Sequence, residues 1–451
     1  RLLVPSLLAL ISFSAAAVPL SAQELYWEDP EVIVPSGARF PVAADGGGAA
    51  AILWHEYERS NGDIVSVSLS VAVMPRGNGE WLRFDRVIGP FDYTGEEVPI
   101  ASIEVTDDNE ILVAAASTGQ RIDIYSMSPP FSPEGGTDSD GGGDAGGAGS
   151  ETAAEGAVAE STPAGADRTA GAFRRIGQAG RRGSAEISVA PRLFQKEDGG
   201  FLLFVTKPFT ISTTQDNVGS LGVTYSVSRD GRTWSEFTPL VTDPNLAYIY
   251  LPSHESFGGK EYVAFQASPA DSRYFQLYLV ESDDGGISWS DPQLITGFRE
   301  SQINEDDNPN NYDNQRPYLD SKGEKLLLTW ERRYAGNTPP QIYYLEMDGD
   351  GQPVSDPERI TTGSATCRNP VSIVKNDTIY LLWFDDRKGD NRVFVAYREG
   401  VAWRDQDVSI MRGGSSFARP LIFDGEIHIV WENTYQENSR IVLLEPDRSV
   451  P

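Results

Sequence analysis

The sequence predicts an all-β fold, a seven-bladed propeller closed by an N-terminal outer strand. Three observations carry that expectation. One unit of three or four short strands recurs through the 451 residues, as fixed-period self-similarity does in propellers and solenoids. Each unit opens near a proline, and the last unit lacks a fourth strand that the N-terminal end of the chain supplies.

The seven openings are ARFPVAAD at 38, VPIASIEV at 98, VAPRLFQ at 189, YLPSHES at 250, QRPYLDS at 315, CRNPVSI at 367 and ARPLIFD at 418. After each comes a turn and an apolar run: AAAILWHE, EILVAAAS, GFLLFVTK, KEYVAFQA, KLLLTWER, TIYLLWFD and EIHIVWEN. A third, alternating run follows, such as IVSVSLSV, FQLYLVES or SRIVLLE. Short runs rich in Val, Ile, Tyr and Phe and bounded by turn residues read as strands. The fourth strand begins near an aromatic in WLRFDRVIG, FRRIGQ, WSEFTPLVT, WSDPQLIT and WRDQDVSIM, and lacks one in PVSDPERIT. The unit opening at Arg419 ends after its third run, and WEDPEVIV at 27 matches WSDPQLIT at 289. Pairing that N-terminal strand into the last blade removes the open sheet edges that invite association. Six blades is the alternative, because units two and four are weaker than the rest.

Composition bounds the function. The formal net charge of -29 excludes a nucleic-acid surface, which must be basic. Three histidines exclude the usual His-rich zinc sites, so no metal cofactor is expected from that chemistry. Cys367 has no second cysteine to pair with and reads as a buried side chain. Residues 1–22 read as a secretory signal, with a basic start, an apolar run and small residues before Ala22. That predicts a secreted, periplasmic or extracellular protein with no membrane span after signal removal, its propeller filling 23–451. The end at Pro451 suggests further domains beyond it. Residues 131–172 hold eight acidic residues, one basic residue and almost no large apolar side chain, which predicts a disordered insertion within the second blade.

Ser282, Asp284, Gly286 and Trp289 fit the pattern Ser-x-Asp-x-Gly-x-x-Trp. A shortened copy runs through Ser228, Asp230 and Trp234, and a degraded third ends at Trp81. This is the Asp-box, or BNR repeat, and on it the chain resembles the sialidase superfamily of propellers. The box joins the third strand to the fourth, where Asp and Ser bond the turn's own backbone and Trp packs between blades. Its predicted role is structural.

Ligand chemistry is expected on the opposite face, where first strands begin and second strands end. Arg39, Arg192, Arg316, Arg368 and Arg419 open first strands, while Glu56, Tyr57, Glu331, Asp385 and Glu432 close second strands. The candidate ligand-binding set is Arg39, Glu56, Tyr57, Arg316, Glu331, Arg368, Asp385, Arg419 and Glu432, facing a glycan or protein. The resemblance implies three arginines binding a sialic acid carboxylate, a Tyr–Glu nucleophile and an Asp acid or base. Arg39-Phe40-Pro41 is similar to the family's first arginine motif, whereas the other two arginines and the nucleophile stay unassigned. Repetition favours a different reading, in which Arg and Glu or Asp of one blade pair in a ring of structural ion pairs. The expected function is therefore a non-catalytic glycan- or protein-binding scaffold, with an exo-glycosidase of sialidase type as the alternative. Asp306, Asp307 and Asp313 are candidate calcium ligands, since hard cations prefer oxygen.

Overall fold

The computed structural model describes residues 26–447 except 78, 94–95, 117–120, 129–172, 181–190, 213–216, 271, 273, 297–311, 335–337 and 400–401. Seven four-stranded antiparallel sheets account for every strand among the described residues. Blade 1 runs from Ala38 to Asp92, blade 2 from Ala101 to Ala179, blade 3 from Arg192 to Pro239 and blade 4 from Leu246 to Leu294. Blade 5 runs from Tyr312 to Arg359, blade 6 from Arg368 to Asp407, and blade 7 takes Gly414–Leu444 together with Glu31–Val34. The six-bladed alternative is thus replaced by seven. Weak units two and four still close, because each buries its second strand, ILVAAA in one and YVAFQA, apolar but for Gln266, in the other.

The closing strand sits where the sequence placed it. Glu31 pairs with Leu443, Val32 with Val442 and Val34 with Ile441, and Trp27 bridges Pro446. The acidic insertion at 131–172 lies outside the described residues, as does the signal segment; the third and fourth strands of blade 2 pair on either side of the insertion. Among the described residues no helix is long and apolar enough to cross a membrane.

Blades adhere through a repeated second-strand tryptophan. Trp54, Trp330, Trp383 and Trp431 are fully buried, and each clusters with apolar side chains of the preceding blade: Trp54 with Phe423, Trp330 with Tyr262, Trp383 with Leu327 and Trp431 with Tyr380. By area, burial of one such ring contributes on the order of 5 kcal/mol. Cys367 is likewise buried, in the cluster with Trp383, and burial pushes its thiol up to about 12. It behaves as a small core residue.

Candidate functional site at the channel mouth

First strands start on one face, and there they share a backbone irregularity. Phe40, Leu251, Arg316, Asn369 and Phe417 have φ between 50° and 55°, and the ladder slips a residue or more at each. Four of the five precede a proline, which disfavours the right-handed helical region for the residue before it. The bulge turns an amide away from its own ladder, so another acceptor must meet it. At three seams that acceptor is a second-strand side chain of the preceding blade. Glu432 accepts from the Phe40 amide at 2.9 Å, Gln266 from Arg316 at 2.8 Å, and Glu331 from Asn369 at 2.6 Å. His55 does the same at the seam of blades 1 and 2, where its Nε2 accepts from the Ile100 amide at 3.0 Å. Burial holds that imidazole neutral, with its pKa lowered to about 4.

This device settles where most of the candidate residues point. Glu331 and Glu432 are buried, and burial raises both carboxyls despite their arginine partners. Arg316 Nη1 meets Glu331 at 2.9 Å within blade 5, as the ring of same-blade pairs predicts. Arg39 departs from that expectation. Its Nε meets Glu432 of blade 7 at 2.7 Å, and its Nη1 contacts Glu97, which also binds Arg59 at 2.7 Å. Glu56 faces its own blade; burial opposes its ionisation, but Ser70, Arg86 and Trp54 outweigh that and lower its pKa. Asp385 is fully buried under a bidentate Arg387 and the Trp383 indole. Tyr57 donates its hydroxyl to the Val98 carbonyl, and burial pushes the phenol up.

Arg368 is the exception on the rim. It lines a small cleft with Arg316, Arg333 and Glu331 and makes no ion pair with a described carboxylate. Of the calcium candidates, Asp306 and Asp307 lie outside the described residues. Asp313 is buried and accepts from Arg333, Gln315 and the Phe275 amide. No group of three or more metal-ligating side chains occurs among the described residues.

Inside the mouth lies a cavity of about 250 Å³ to which all seven blades contribute first-strand residues, so it is the central channel. Arg419 from blade 7, Arg192 from blade 3 and Tyr318 from blade 5 line it. Neither guanidinium forms an ion pair with a described carboxylate; Arg419 donates only to its neighbour's carbonyl, Ala418, at 2.9 Å. Burial and then the nearby Arg192 charge lower Arg419 to about 10, which leaves it charged at neutral pH, and burial lowers Arg192 as well. Arg419 was legible as a first-strand arginine and Arg192 only as one of five. Tyr318 gave no signal beyond following an Arg-Pro pair.

Farther along the first strands the wall turns acidic. Burial, reinforced by Asp320, raises Glu255 to about 8; burial, reinforced by Asp45, raises Glu104 to about 8. Unfolded glutamate titrates near 4.3. Below about pH 4 both states are protonated; between about 4.5 and 8 the folded state keeps protons that the unfolded state has lost. Stability therefore falls as pH rises through that window and levels off above it. His55, lowered to about 4, works the other way but is outweighed by the two glutamates, so the expected melting temperature is higher at pH 5.5 than at pH 8.5 by at least about 5 °C, and the double substitution Glu104→Gln, Glu255→Gln should remove most of the difference. A melt that rises across the same interval contradicts the assignment. Asp230 and Asp284, held near 2, contribute above that value and lose their contribution only in stronger acid, outside this window.

The turn at 282–289 is on the other face and is self-contained. Asp284 accepts from the amides of Ile287 at 3.1 Å and Ser288 at 2.9 Å and from the hydroxyls of Ser282 and Ser288. Those bonds hold its carboxyl near 2. Gly286 has φ +85° and packs against Leu202 of blade 3, so it supplies both the backbone turn and the close approach. Trp289 meets Phe204 and Tyr225 of blade 3 edge-on, with centroids 6.1 and 5.9 Å apart. Ser228, Asp230 and Trp234 repeat the arrangement one blade earlier. All these groups bond their own turn or the neighbouring blade.

The arrangement defines a seven-bladed β-propeller whose largely apolar channel carries two arginines. Its fold is similar to that of the polysaccharide lyase Uly1, at 10% identity over 94% of this chain and 100% of that one, with a TM-score of 0.53. A Trypanosoma rangeli sialidase aligns at 10% identity and TM-score 0.44 over 93% of this chain, which spans 57% of the sialidase. An endo-arabinase from Bacteroides thetaiotaomicron aligns at 14% identity and TM-score 0.38 over 57% of this chain and 93% of its own. At such identities the likeness shows architecture alone. No family model and no curated protein matches the sequence.

Proposed function

We propose that this chain is an exported, non-catalytic propeller that binds an anionic glycan at the channel mouth. The observation that carries the reading is the engagement of the rim arginines. Arg39 is held by Glu97 and Glu432, and Arg316 by Glu331. A sialidase-type site needs such guanidinium forks free for a substrate carboxylate. Tyr57, donating to a backbone carbonyl, is not poised as a nucleophile. What remains for a ligand is Arg368, which makes no ion pair with a described carboxylate, on the same face as the aromatic rings of Phe40 and Phe417, which meet edge-on at 5.3 Å. Rings of that kind offer an apolar face to a sugar while cations take its acidic groups.

Two measurements test this. A fluorogenic sialoside should release no product, and immobilised acidic glycan should retain the protein, with Arg368→Ala weakening retention several-fold. Turnover that falls at least tenfold in Arg39→Lys, with the melt unchanged, restores the glycosidase reading. Failure of any acidic glycan to retain the wild type removes the binding one.

A further inference from the structure

We infer that the central channel holds a dedicated anion site, formed by Arg192 and Arg419 from opposite parts of the ring with the Tyr318 hydroxyl beside them, that takes a small oxyanion or the carboxylate end of an acidic sugar. It stands whether or not the rim binds a glycan.

The argument begins with cost. Two guanidinium groups confined to one cavity repel each other and lose solvation, and an unpaired charge in such a place is strongly unfavourable unless something compensates it. A chain with 66 acidic residues against 37 basic ones has carboxylates to spare. It pairs other first-strand arginines with them, as at Arg39 and Arg316. Yet Arg192 and Arg419 form no ion pair with a described carboxylate, and Tyr318 makes no side-chain hydrogen bond to a described residue. The acids nearest Tyr318 do not fill the role: Asp320 accepts from the Ser321 amide at 2.8 Å and Glu255 from the Ser321 hydroxyl at 2.7 Å, burial raises both carboxyls, and neither forms an ion pair with Arg192 or Arg419. Two cations and a hydroxyl donor therefore face one cavity without an acceptor. Guanidinium forks match the paired oxygens of carboxylate or sulfate.

Size selects the ligand. About 250 Å³ is below the roughly 300–1,000 Å³ of clefts that enclose drug-sized molecules. The cavity thus suits a small anion or one acidic terminus of something longer, and the mouth ring of Phe40, Leu251 and Phe417 supplies apolar walls above the charged pair.

The test uses the full chain, calorimetric titration and thermal melting at pH 7, with sodium glucuronate, sodium sulfate, glucose as the neutral control and sodium chloride at matched ionic strength. Glucuronate or sulfate should bind saturably at one site and raise the melting temperature, whereas glucose and chloride should not. Arg419→Met, alone or with Arg192→Met, should weaken that binding at least tenfold. Without anion, these variants should melt at or above the wild-type temperature, because a partly buried cation without a carboxylate partner has been removed. Arg419→Lys keeps the charge but not the fork and should also bind more weakly, which preserves the test if the methionine variants fold poorly. Sulfate binding alone assigns the site to a free oxyanion; tighter glucuronate assigns it to an acidic sugar terminus. The inference falls if neither anion binds beyond the chloride control, if binding persists undiminished in the double variant, or if Arg419→Lys lowers the anion-free melt while leaving affinity intact.

Discussion

Removal of Tyr26–Val34 is expected to lower the melting temperature by roughly 10 °C or more. The deleted segment carries the outer strand of blade 7, and its ladder to the third strand of that blade is extended by Glu28 and Asp447 backbone bonds of 3.0 and 2.8 Å to Glu445 and Tyr26. Val34 is buried in the cluster that joins blades 7 and 1, Ile33 packs on that cluster, and Val32 and Trp27 pack on the cluster shared by blades 6 and 7. Losing one fully and three partly buried apolar side chains costs on the order of 5 kcal/mol, and each kcal/mol displaces the melt of a large domain by about 2–4 °C. The truncation also leaves Asn438–Leu444 as an unpaired edge, so the shortened chain should associate as its concentration rises. A melt equal to that of the whole chain, with no new association, would sink the closure argument.

The blades were readable because propeller strands announce themselves locally. An alternating run such as IVSVSLSV or a tryptophan-ended run such as KLLLTWER needs only its own turn and its own apolar face to be recognised. Even the closure was legible, since WEDPEVIV repeats the residues of an internal fourth strand. The mouth was less so. Arg39 and Glu432 are 393 positions apart, and what joins them is a bulge at Phe40 whose freed amide needs an acceptor from the last blade. Same-blade pairing is the natural guess from sequence order, and it holds at Arg316. It fails at Arg39, because a second-strand carboxylate here reaches the following blade as readily as its own. The same geometry hides Gln266 and His55, whose latch roles carry no charge signature. Arg192 and Tyr318 meet Arg419 only through the curvature of the ring, to which no local pattern refers.

The second large effect concerns the inner edge of the same seam. Glu432→Ala is expected to destabilise the fold by about 3 kcal/mol, although the residue looks like a ligand contact from sequence alone. Its carboxylate is 1% exposed and serves two groups at once, the Phe40 amide at 2.9 Å and Arg39 Nε at 2.7 Å. Truncation leaves a buried donor unsatisfied, about 1–3 kcal/mol, and removes one partner of a largely buried ion pair, which costs more than the pair itself is worth. Glu97 still holds Arg39 from the other side and limits the loss. Glu432→Gln keeps an acceptor for the Phe40 amide, so it should cost about half as much. Glu331→Ala should behave like Glu432→Ala, because Glu331 joins blade 5 to blade 6 through the Asn369 amide and also holds an arginine, Arg316 of its own blade. Glu58→Ala is the control, an exposed carboxylate on the second strand of blade 1 that bonds only Ser66, with an expected change within about 0.5 kcal/mol. Urea denaturation of the four variants separates the cases. Equal midpoints for Glu432→Ala and Glu58→Ala would mean that the buried acids at the mouth are not holding the blades together, and would return Glu331 and Glu432 to the ligand-binding set.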